Sequence, residues 1–147
     1  MNPPATQRCL FCDIANKTIP SHTVYEDDAI YAFLDINPIR PGHTLIVPRA
    51  HHAYFDDLPP ELASRVVAIG QRIARSLKSI HQVQRAGFMF TGTDIAHTHA
   101  HVVPLVEAVD ITSRRYIAEE NITFRPTPRM PDDELAQAAL QLRQSLD

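Results

Sequence analysis

Residues 97 to 103 read His97-Thr98-His99-Ala100-His101-Val102-Val103, and Pro104 follows them. Histidine at every second position, continued by two valines, is typical of a β-strand, which we predict over residues 96–105. Alternate side chains of a strand point to one face, and neighbours on that face are roughly 6.5–7 Å apart, since a strand rises about 3.3 Å per residue. The sequence therefore predicts that all three imidazoles share one face of a sheet.

These three histidines, below called the triad, indicate a chemical site. Packing alone explains them poorly, because every buried ring must find a hydrogen-bond partner. Their spacing suits a row of groups that grip a phosphate. Alternating histidines on a strand can also ligate zinc or copper, so a metal site is the main chemical alternative.

The segments around the triad predict an α+β fold. Strands that are mostly linked by short turns, with one long helix inserted, imply an antiparallel sheet of about five strands with helices packed on one face. Apolar residues at helical spacing predict the long helix, and Pro131 followed by three acidic residues marks the start of a C-terminal helix. The predicted elements are a short helix at 9–17, strands at 23–26, 29–36, 43–48, 87–91 and 96–105, the long helix at 59–80, a short helix near 112–117, a strand at 122–124 and the C-terminal helix.

Length and composition favour one soluble domain over residues 1–147, with residues 1–8 as a loose, flexible arm. The net charge of −3 gives no bulk attraction to nucleic acid or to an anionic membrane. No apolar run approaches the roughly 20 residues that a membrane span needs. The start of the chain is short and polar, unlike a secretory signal. We therefore expect a cytoplasmic protein without nucleic-acid or membrane partners.

A fourth histidine, His43, lies in Pro41-Gly42-His43-Thr44-Leu45. Together with the triad, this segment resembles the histidine triad family of nucleotidyl hydrolases and transferases. Further segments fall in the family's order, and the resemblance covers roughly residues 9–105: Cys9-Leu10-Phe11-Cys12, Ile19-Pro20, Val24-Tyr25-Glu26-Asp27 and Phe33-Leu34-Asp35-Ile36. Residues 106–147 fall outside it, and we expect them to form an extension that packs on the domain.

The resemblance implies a catalytic set of His99, His101, His43 and His97. Its nucleophile is the central histidine, His99, which attacks an α-phosphorus and forms a nucleotidyl-imidazole intermediate that water then hydrolyses. A neutral imidazole can do this near pH 7, because its ordinary pKa is about 6.5. His101 and His43 would contact the phosphate and the leaving-group oxygen. The scheme requires no catalytic metal, because imidazoles supply the positive charge.

The resemblance also implies how the nucleoside is held. Asp35 matches an acid that grips the ribose hydroxyls, although it could equally cap the loop of residues 37–42. Leu10, Phe11 and Ile14 match an apolar wall under the base, although plain core residues would look the same.

Cys9 and Cys12 are the two cysteines of the chain. Two thiolates need two further ligands to form a closed tetrahedral zinc site. In the branch of the family that this segment resembles, the ligands match His51 and His97, and the zinc is structural. The alternatives are two buried free thiols or a redox pair, and the latter is disfavoured because no βαβ pattern surrounds them.

The chain departs from the family pattern just before the triad. Many members carry a longer loop here, whereas this chain has Thr93 and Asp94 where a glutamine and a substrate-contacting serine or threonine usually stand. A carboxylate near phosphates would repel them. It could instead hold a cationic leaving group such as an amine, or act as a protonated acid.

The resemblance therefore implies a nucleotide hydrolase that acts on a nucleoside phosphoramidate or a dinucleoside polyphosphate. Asp94 and the short loop also allow a nucleotide-binding, zinc-stabilised interaction module with little turnover, and a metalloenzyme with a metal bound to the triad is a third hypothesis. The family commonly forms a two-fold dimer, so we expect a homodimer.

Overall fold

The computed structural model describes residues 8–92, 94–111 and 126–146. The helix predicted near 112–117, the strand predicted at 122–124 and residues 1–7 of the predicted arm lie outside this part of the chain. The elements are α1 (Leu10–Ala15), β1 (Thr23–Glu26), β2 (Ile30–Leu34), β3 (Thr44–Pro48), a 3-10 turn (Phe55–Asp57), α2 (Pro60–His81), β4 (Arg85–Thr91), β5 (His99–Leu105) and α3 (Asp132–Leu146).

The five strands form one sheet in the order β1-β2-β3-β5-β4, and every neighbouring pair is antiparallel. The predicted α+β fold class is confirmed. The turn between β1 and β2 lacks glycine and is stabilised by Asp27 instead. One carboxylate oxygen of Asp27 accepts hydrogen bonds from the backbone N–H groups of Ala29 and Ile30.

One face of the sheet is covered by α2 and α3. The predicted apolar stripe of the long helix is confirmed, since Val66, Ile69, Ile73 and Leu77 are all buried. Together with the buried residues of α3 they pack on Ile30, Ala32, Leu34, Ile46, Ala100 and Val102 of the strands. None of the helices in the described part of the chain is long and apolar enough to cross a membrane.

The opposite face is covered by α1, so the prediction that the helices pack on one face was wrong for this helix. Strands β2 and β3 are buried along their whole length, on both faces of the sheet. Tyr31 and Phe33 therefore need an apolar cover on the second face, and Phe11 and Ile14 of α1 supply it.

The predicted strand at 96–105 is shorter at its start, because β5 begins at His99. Thr98 leaves the ladder, since its backbone N–H and its hydroxyl both donate to the carbonyl of His52. The backbone N–H of His97 donates to the carbonyl of Ile95, which closes a tight bend. His97 therefore precedes the strand rather than lying in it, although its ring contacts Phe11 as the His99 ring does.

Gly42 delivers His43 to the start of β3. Its φ of +94° lies in the region that L residues rarely adopt, and a Cβ there would meet Leu77 Cδ2 at 2.6 Å. The backbone N–H of Asp35 donates to the His43 carbonyl, so the end of β2 holds the histidine in register.

Candidate functional site

A pocket of about 670 Å³ opens between α1 and the sheet face that carries His99 and His101. Both histidines line it, and so do predicted residues from two other segments. The predicted site residues along its wall are Leu10, Phe11, Ile14, Asp35, Asp94, His99 and His101. His43 lies behind His101 rather than on the wall, and the His97 ring is turned to the sulfurs of Cys9 and Cys12.

His99 is almost completely buried and held on three sides. Its Nδ1–H donates to the carbonyl oxygen of His97 at 2.7 Å, so in the neutral ring the lone pair lies on Nε2. The Phe11 ring packs edge-on against the imidazole, with 4.9 Å between the ring centroids. An unprotonated ring nitrogen at the wall of a pocket is a suitable nucleophile.

His101 and His43 form a pair beside this nitrogen. The His43 Nε2 and His101 Nδ1 atoms are 2.8 Å apart, and the backbone N–H of Ile39 donates to His43 Nδ1 at 3.1 Å. Because His43 Nδ1 is an acceptor, the neutral His43 ring carries its proton on Nε2 and donates it to His101. The remaining nitrogen of His101, Nε2, then carries a proton at the pocket wall.

Burial keeps both rings of this pair neutral. Burial, together with the charges of the nearby His43 and His99 rings, lowers the pKa of His101 to about 4. Burial also lowers the pKa of His43, and the carboxylate of Asp35, 3.8 Å from its Nε2, opposes that shift. At neutral pH the pair can therefore offer an N–H donor without a fixed positive charge.

Thr91 is a site residue that sequence reasoning missed. It lies opposite His99 in the β4–β5 register, and its Oγ1 is 3.1 Å from His99 Nε2 and 2.7 Å from His101 Nε2. A threonine in a predicted strand is ordinary, so no sequence signal distinguishes it. The pairing register of β4 and β5 places Thr91 next to His99 and His101.

The residues predicted to hold a nucleoside lie together at one end of the pocket. Phe11 and Ile14 are buried in the α1 core and also face the pocket, whereas Leu10 is half exposed at its rim. Asp35 has one oxygen bonded to the backbone N–H of Asn37, so it caps the loop, while it also lines the pocket. For these residues, a role in the core or in capping the loop is thus compatible with a place on the pocket wall.

Asp94 faces the nucleophilic nitrogen. Its Oδ1 is 3.6 Å from His99 Nε2 and accepts the backbone N–H of Ile95 at 2.9 Å. The side chain is 70% exposed, so water surrounds most of the carboxylate. Thr93, the other residue predicted from this loop, lies outside the described residues.

A second cluster brings together Cys9, Cys12, His51 and His97. The Sγ–Nδ1 distances are 3.3 Å from Cys9 to His97, 3.4 Å from Cys12 to His97 and 3.4 Å from Cys12 to His51. A tetrahedral zinc with ordinary Zn–S and Zn–N bonds separates its sulfur and nitrogen ligands by about 3.5 Å. The donor types and spacing fit such an ion, so these residues form a candidate metal site.

The surroundings of this cluster also suit a cation. His97 Nε2–H donates to the Pro48 carbonyl at 2.8 Å, which leaves Nδ1 unprotonated and turned to the sulfurs. Burial, followed by the hydrogen bond and charge of Cys9, raises the pKa of Cys12 to about 11. Two adjacent thiolates therefore need a bound cation to coexist.

The C-terminal segment contributes further pocket residues that sequence reasoning did not identify. The backbone N–H of Met130 donates to the Ile36 carbonyl at 2.8 Å, and the Thr127 hydroxyl donates to the Asn37 carbonyl at 2.6 Å. These bonds place residues 126–131 beside the end of β2. Arg129 and Asp132 thereby join the pocket wall near Asp35.

Comparisons with known proteins place the whole chain rather than its single residues. A family model described as HIT domain matches residues 16–108. The chain is 36% identical to the adenosine 5'-monophosphoramidase of Saccharomyces cerevisiae, over 71% of this chain and 68% of the relative. The crystal structure of a HIT-like protein from Bartonella henselae has a TM-score of 0.77 and 27% identity, covering 96% of this chain and 98% of that chain. The crystal structure of a Zn-bound histidine triad family protein from Mycobacterium smegmatis has a TM-score of 0.72 and 30% identity, covering 94% and 92% respectively.

Proposed function

Because the chain belongs to the HIT domain family, we propose that it is a nucleotide hydrolase that acts through a nucleotidyl intermediate on His99. The observation that carries the proposal is the buried His99 ring, whose Nε2 lone pair lies at the pocket wall while Nδ1–H is held by the His97 carbonyl. The similar yeast enzyme, an adenosine 5'-monophosphoramidase, supports a substrate with a bond to the phosphorus of a nucleoside monophosphate.

The first step forms one bond and breaks another. The His99 Nε2 lone pair attacks the α-phosphorus, and the bond from phosphorus to the leaving group breaks with its electron pair. The leaving atom takes its proton from water, and His101 Nε2–H donates a hydrogen bond to it, because a neutral ring that gave up this proton would become an anion. His43 donates to His101 Nδ1 from behind and so holds that ring in the donating tautomer.

The second step restores the enzyme. A water oxygen attacks the phosphorus of the nucleotidyl-histidine, the phosphorus–Nε2 bond breaks with its electron pair returning to His99, and one water proton is released to solvent, which balances the proton taken up in the first step. The product is a nucleoside monophosphate.

We assign the nucleoside to the end of the pocket formed by α1 and the end of β2. Phe11 and Ile14 offer an apolar surface on which a base can pack, and Leu10 lies at the rim. The free oxygen of Asp35 can accept hydrogen bonds from ribose hydroxyls, because its other oxygen is already bonded to the backbone of Asn37.

Asp94 favours a phosphoramidate over a dinucleoside polyphosphate. Its carboxylate is 3.6 Å from the attacking nitrogen and therefore close to the reacting phosphate, so it disfavours a leaving group that adds several negative charges. An amine leaving group is neutral or positively charged and meets no such repulsion. The same carboxylate also favours the second candidate, a nucleotide-binding module with little turnover, if it holds the phosphate away from His99.

The four residues Cys9, Cys12, His51 and His97 would hold a structural zinc ion. Zinc would tie α1 to the bend before β5, and the carbonyl of His97, which orients His99, belongs to one of the ligands. The Zn-bound relative from Mycobacterium smegmatis supports this assignment.

The test is release of AMP from adenosine 5'-phosphoramidate by the wild-type protein and by His99→Ala. We expect steady turnover by the wild type and a loss of roughly 10³-fold or more in the variant, because no other ring replaces the nucleophile. His52→Ala is the matched control, since His52 contributes only its carbonyl oxygen to the hydrogen bonds of the described residues. Turnover by His99→Ala at the control rate would exclude the mechanism. Binding of AMP by the wild type without any turnover would favour the binding module.

A further inference from the structure

One oxygen atom lies between the two ring nitrogens that the proposed reaction uses. Thr91 Oγ1 is 3.1 Å from His99 Nε2 and 2.7 Å from His101 Nε2. Each distance is within the range of a hydrogen bond. A hydroxyl has one hydrogen to donate and two lone pairs to accept with, so it can bond both nitrogens unless both are unprotonated, and the direction of each bond must be fixed by the rest of the network.

The first end of this hydrogen-bond chain fixes its direction. The Ile39 backbone N–H can only donate, so His43 Nδ1 accepts and the neutral His43 ring carries its proton on Nε2. That proton is donated to His101 Nδ1, and the neutral His101 ring then carries its own proton on Nε2. His101 Nε2–H therefore donates to Thr91 Oγ1.

The second end gives the same direction independently. The His97 carbonyl can only accept, so His99 Nδ1 is protonated and the Nε2 atom of the neutral ring is an acceptor. The hydrogen left on the Thr91 hydroxyl is the one that can be donated to it. The two halves of the hydrogen-bond chain therefore agree at Thr91. Reversing the direction of either half would leave the Ile39 N–H or the His97 carbonyl without its hydrogen-bond partner.

We propose that Thr91 is a positioning residue, whose hydroxyl accepts from His101 and donates to His99 and so keeps the hydrogen-bond donor and the nucleophile converged on one point before substrate enters. The inference rests on the proposed function, because it gives the hydroxyl a role in that reaction. When a phosphoryl group arrives, the hydroxyl hydrogen turns away from the Nε2 lone pair, and both nitrogens already face the reacting atoms. Such preorganisation lowers the barrier without adding a chemical step.

The strand register explains why residue 91 can do this. Thr91 and His99 are directly opposite each other in the β4–β5 ladder, and Met89 is opposite His101. The Thr91 side chain stands on the sheet face that carries His99 and His101, and its short branched side chain keeps the hydroxyl near the strand backbone.

The first test is the direction of these hydrogen bonds in the wild-type protein, measured by long-range ¹H–¹⁵N NMR of the histidine rings at neutral pH. The proposal expects the proton of His99 on Nδ1 and the protons of His43 and His101 on Nε2. A His101 ring protonated on Nδ1, or a His99 ring protonated on Nε2, would overturn it. This measurement needs no turnover, so it tests the hydrogen-bond chain even where the proposed hydrolase activity fails.

The kinetic test compares Thr91→Val, which keeps the shape and removes the hydroxyl, with Thr91→Ser, which keeps the hydroxyl. We expect Thr91→Val to lower kcat for adenosine 5'-phosphoramidate by roughly tenfold or more with a much smaller change in KM, and Thr91→Ser to stay within about threefold of the wild type. Thr23→Val is the matched control, because Thr23 bonds Tyr31 away from the pocket wall.

Two kinetic results would contradict the proposal. One is a kcat for Thr91→Val equal to that of Thr23→Val, and the other is an equal loss in Thr91→Ser and Thr91→Val. Absence of turnover in the wild type would instead count against the proposed function, and the ring tautomers would still decide the role of Thr91.

Discussion

Asp94 sets a negative charge beside the attacking nitrogen, so at the scale of single residues it should select among leaving groups. We predict that Asp94→Asn slows hydrolysis of an adenosine phosphoramidate with a cationic amine and speeds hydrolysis of a diadenosine polyphosphate. Each change should be roughly three- to tenfold, because the carboxylate is 70% exposed and largely screened. Steady-state rates with both substrates at low and high salt check this. Equal changes for the two substrates would show that Asp94 acts only on the fold of its loop.

His101 gives the molecule a predictable response to acid. Burial lowers its pKa from 6.5 to about 4 in the folded protein, so the unfolded chain takes up the proton first. The contribution of His101 to stability is therefore complete above pH 6.5 and is lost as the pH falls from 6.5 toward 4. The loss should be roughly 1–2 kcal/mol, less than the full shift implies, because the ring is partly exposed to solvent.

The check on His101 is the free energy of unfolding of the wild type and of His101→Asn between pH 8 and pH 4.5. The wild type should lose stability more steeply, since asparagine does not titrate and the other groups are common to both proteins. Parallel curves would show that the folded environment leaves the His101 pKa unchanged.

Several residues of the candidate site could be predicted from the sequence, because each stands in a distinctive local pattern. His99 and His101 belong to an alternating repeat, His43 follows Pro41-Gly42, and Asp35 ends an apolar strand. Thr91 had no such pattern, because its role comes from the pairing of two strands that are joined by a loop of several residues. Arg129 and Asp132 were missed because a segment distant in sequence returns to the pocket through backbone hydrogen bonds.

At the scale of elements, α1 depends on the candidate metal site. The helix has six residues, too few for independent stability, and its N-cap residue, Cys9, makes no side-chain capping bond. We predict that the purified protein holds about one zinc ion per chain, and that Cys12→Ser loses the zinc and has a lower Tm. Metal analysis and thermal unfolding with and without a chelator measure both effects.

His52→Asn provides the control for that experiment, because His52 is next to His51 in sequence and lies outside the cluster. It should keep its zinc and its Tm. Zinc that persists in Cys12→Ser would indicate that the metal binds at the triad and would contradict its assignment to the cysteines.

The elements themselves were largely predictable, and their ends and faces were less so. The apolar stripe of α2 identified the helix, because its period differs from that of a strand. The start of β5 was placed too early, because the histidine repeat continues through His97 while the backbone bends there to meet His52. The face chosen by α1 depends on which side of β2 lacks a cover, and a sequence of six residues does not contain that information.

At the scale of the whole molecule, the sheet has one edge that is suited to pairing. The β1 edge is partly covered, since Arg143 of α3 donates to the Thr23 carbonyl. The β4 edge carries Phe88 and Met89, each 38% exposed, and lies beside α2. We expect a homodimer through this edge. Light scattering at micromolar concentration should then give about twice the 16.5 kDa chain mass.

A pair of substitutions distinguishes a β4 interface from other exposed apolar surface. Met89→Arg should shift the dimer toward the monomer, because the interface would have to bury a charge. Leu140→Arg on α3 is the control, since Leu140 is similarly exposed and lies on a different element. A monomeric wild type, or equal masses for the two variants, would reject pairing through β4.

The central claim is that the Nε2 atom of His99 becomes bonded to phosphorus during turnover. The most direct measurement mixes the protein with adenosine 5'-phosphoramidate, quenches within milliseconds in alkali, where a phosphorus–histidine bond survives, and locates the adduct by peptide mass spectrometry. The account predicts an adenylyl group on His99 of the wild type and none in His99→Ala. Steady release of AMP with no adduct, or an adenylyl group on His101 or His43 with His99 unmodified, would contradict it.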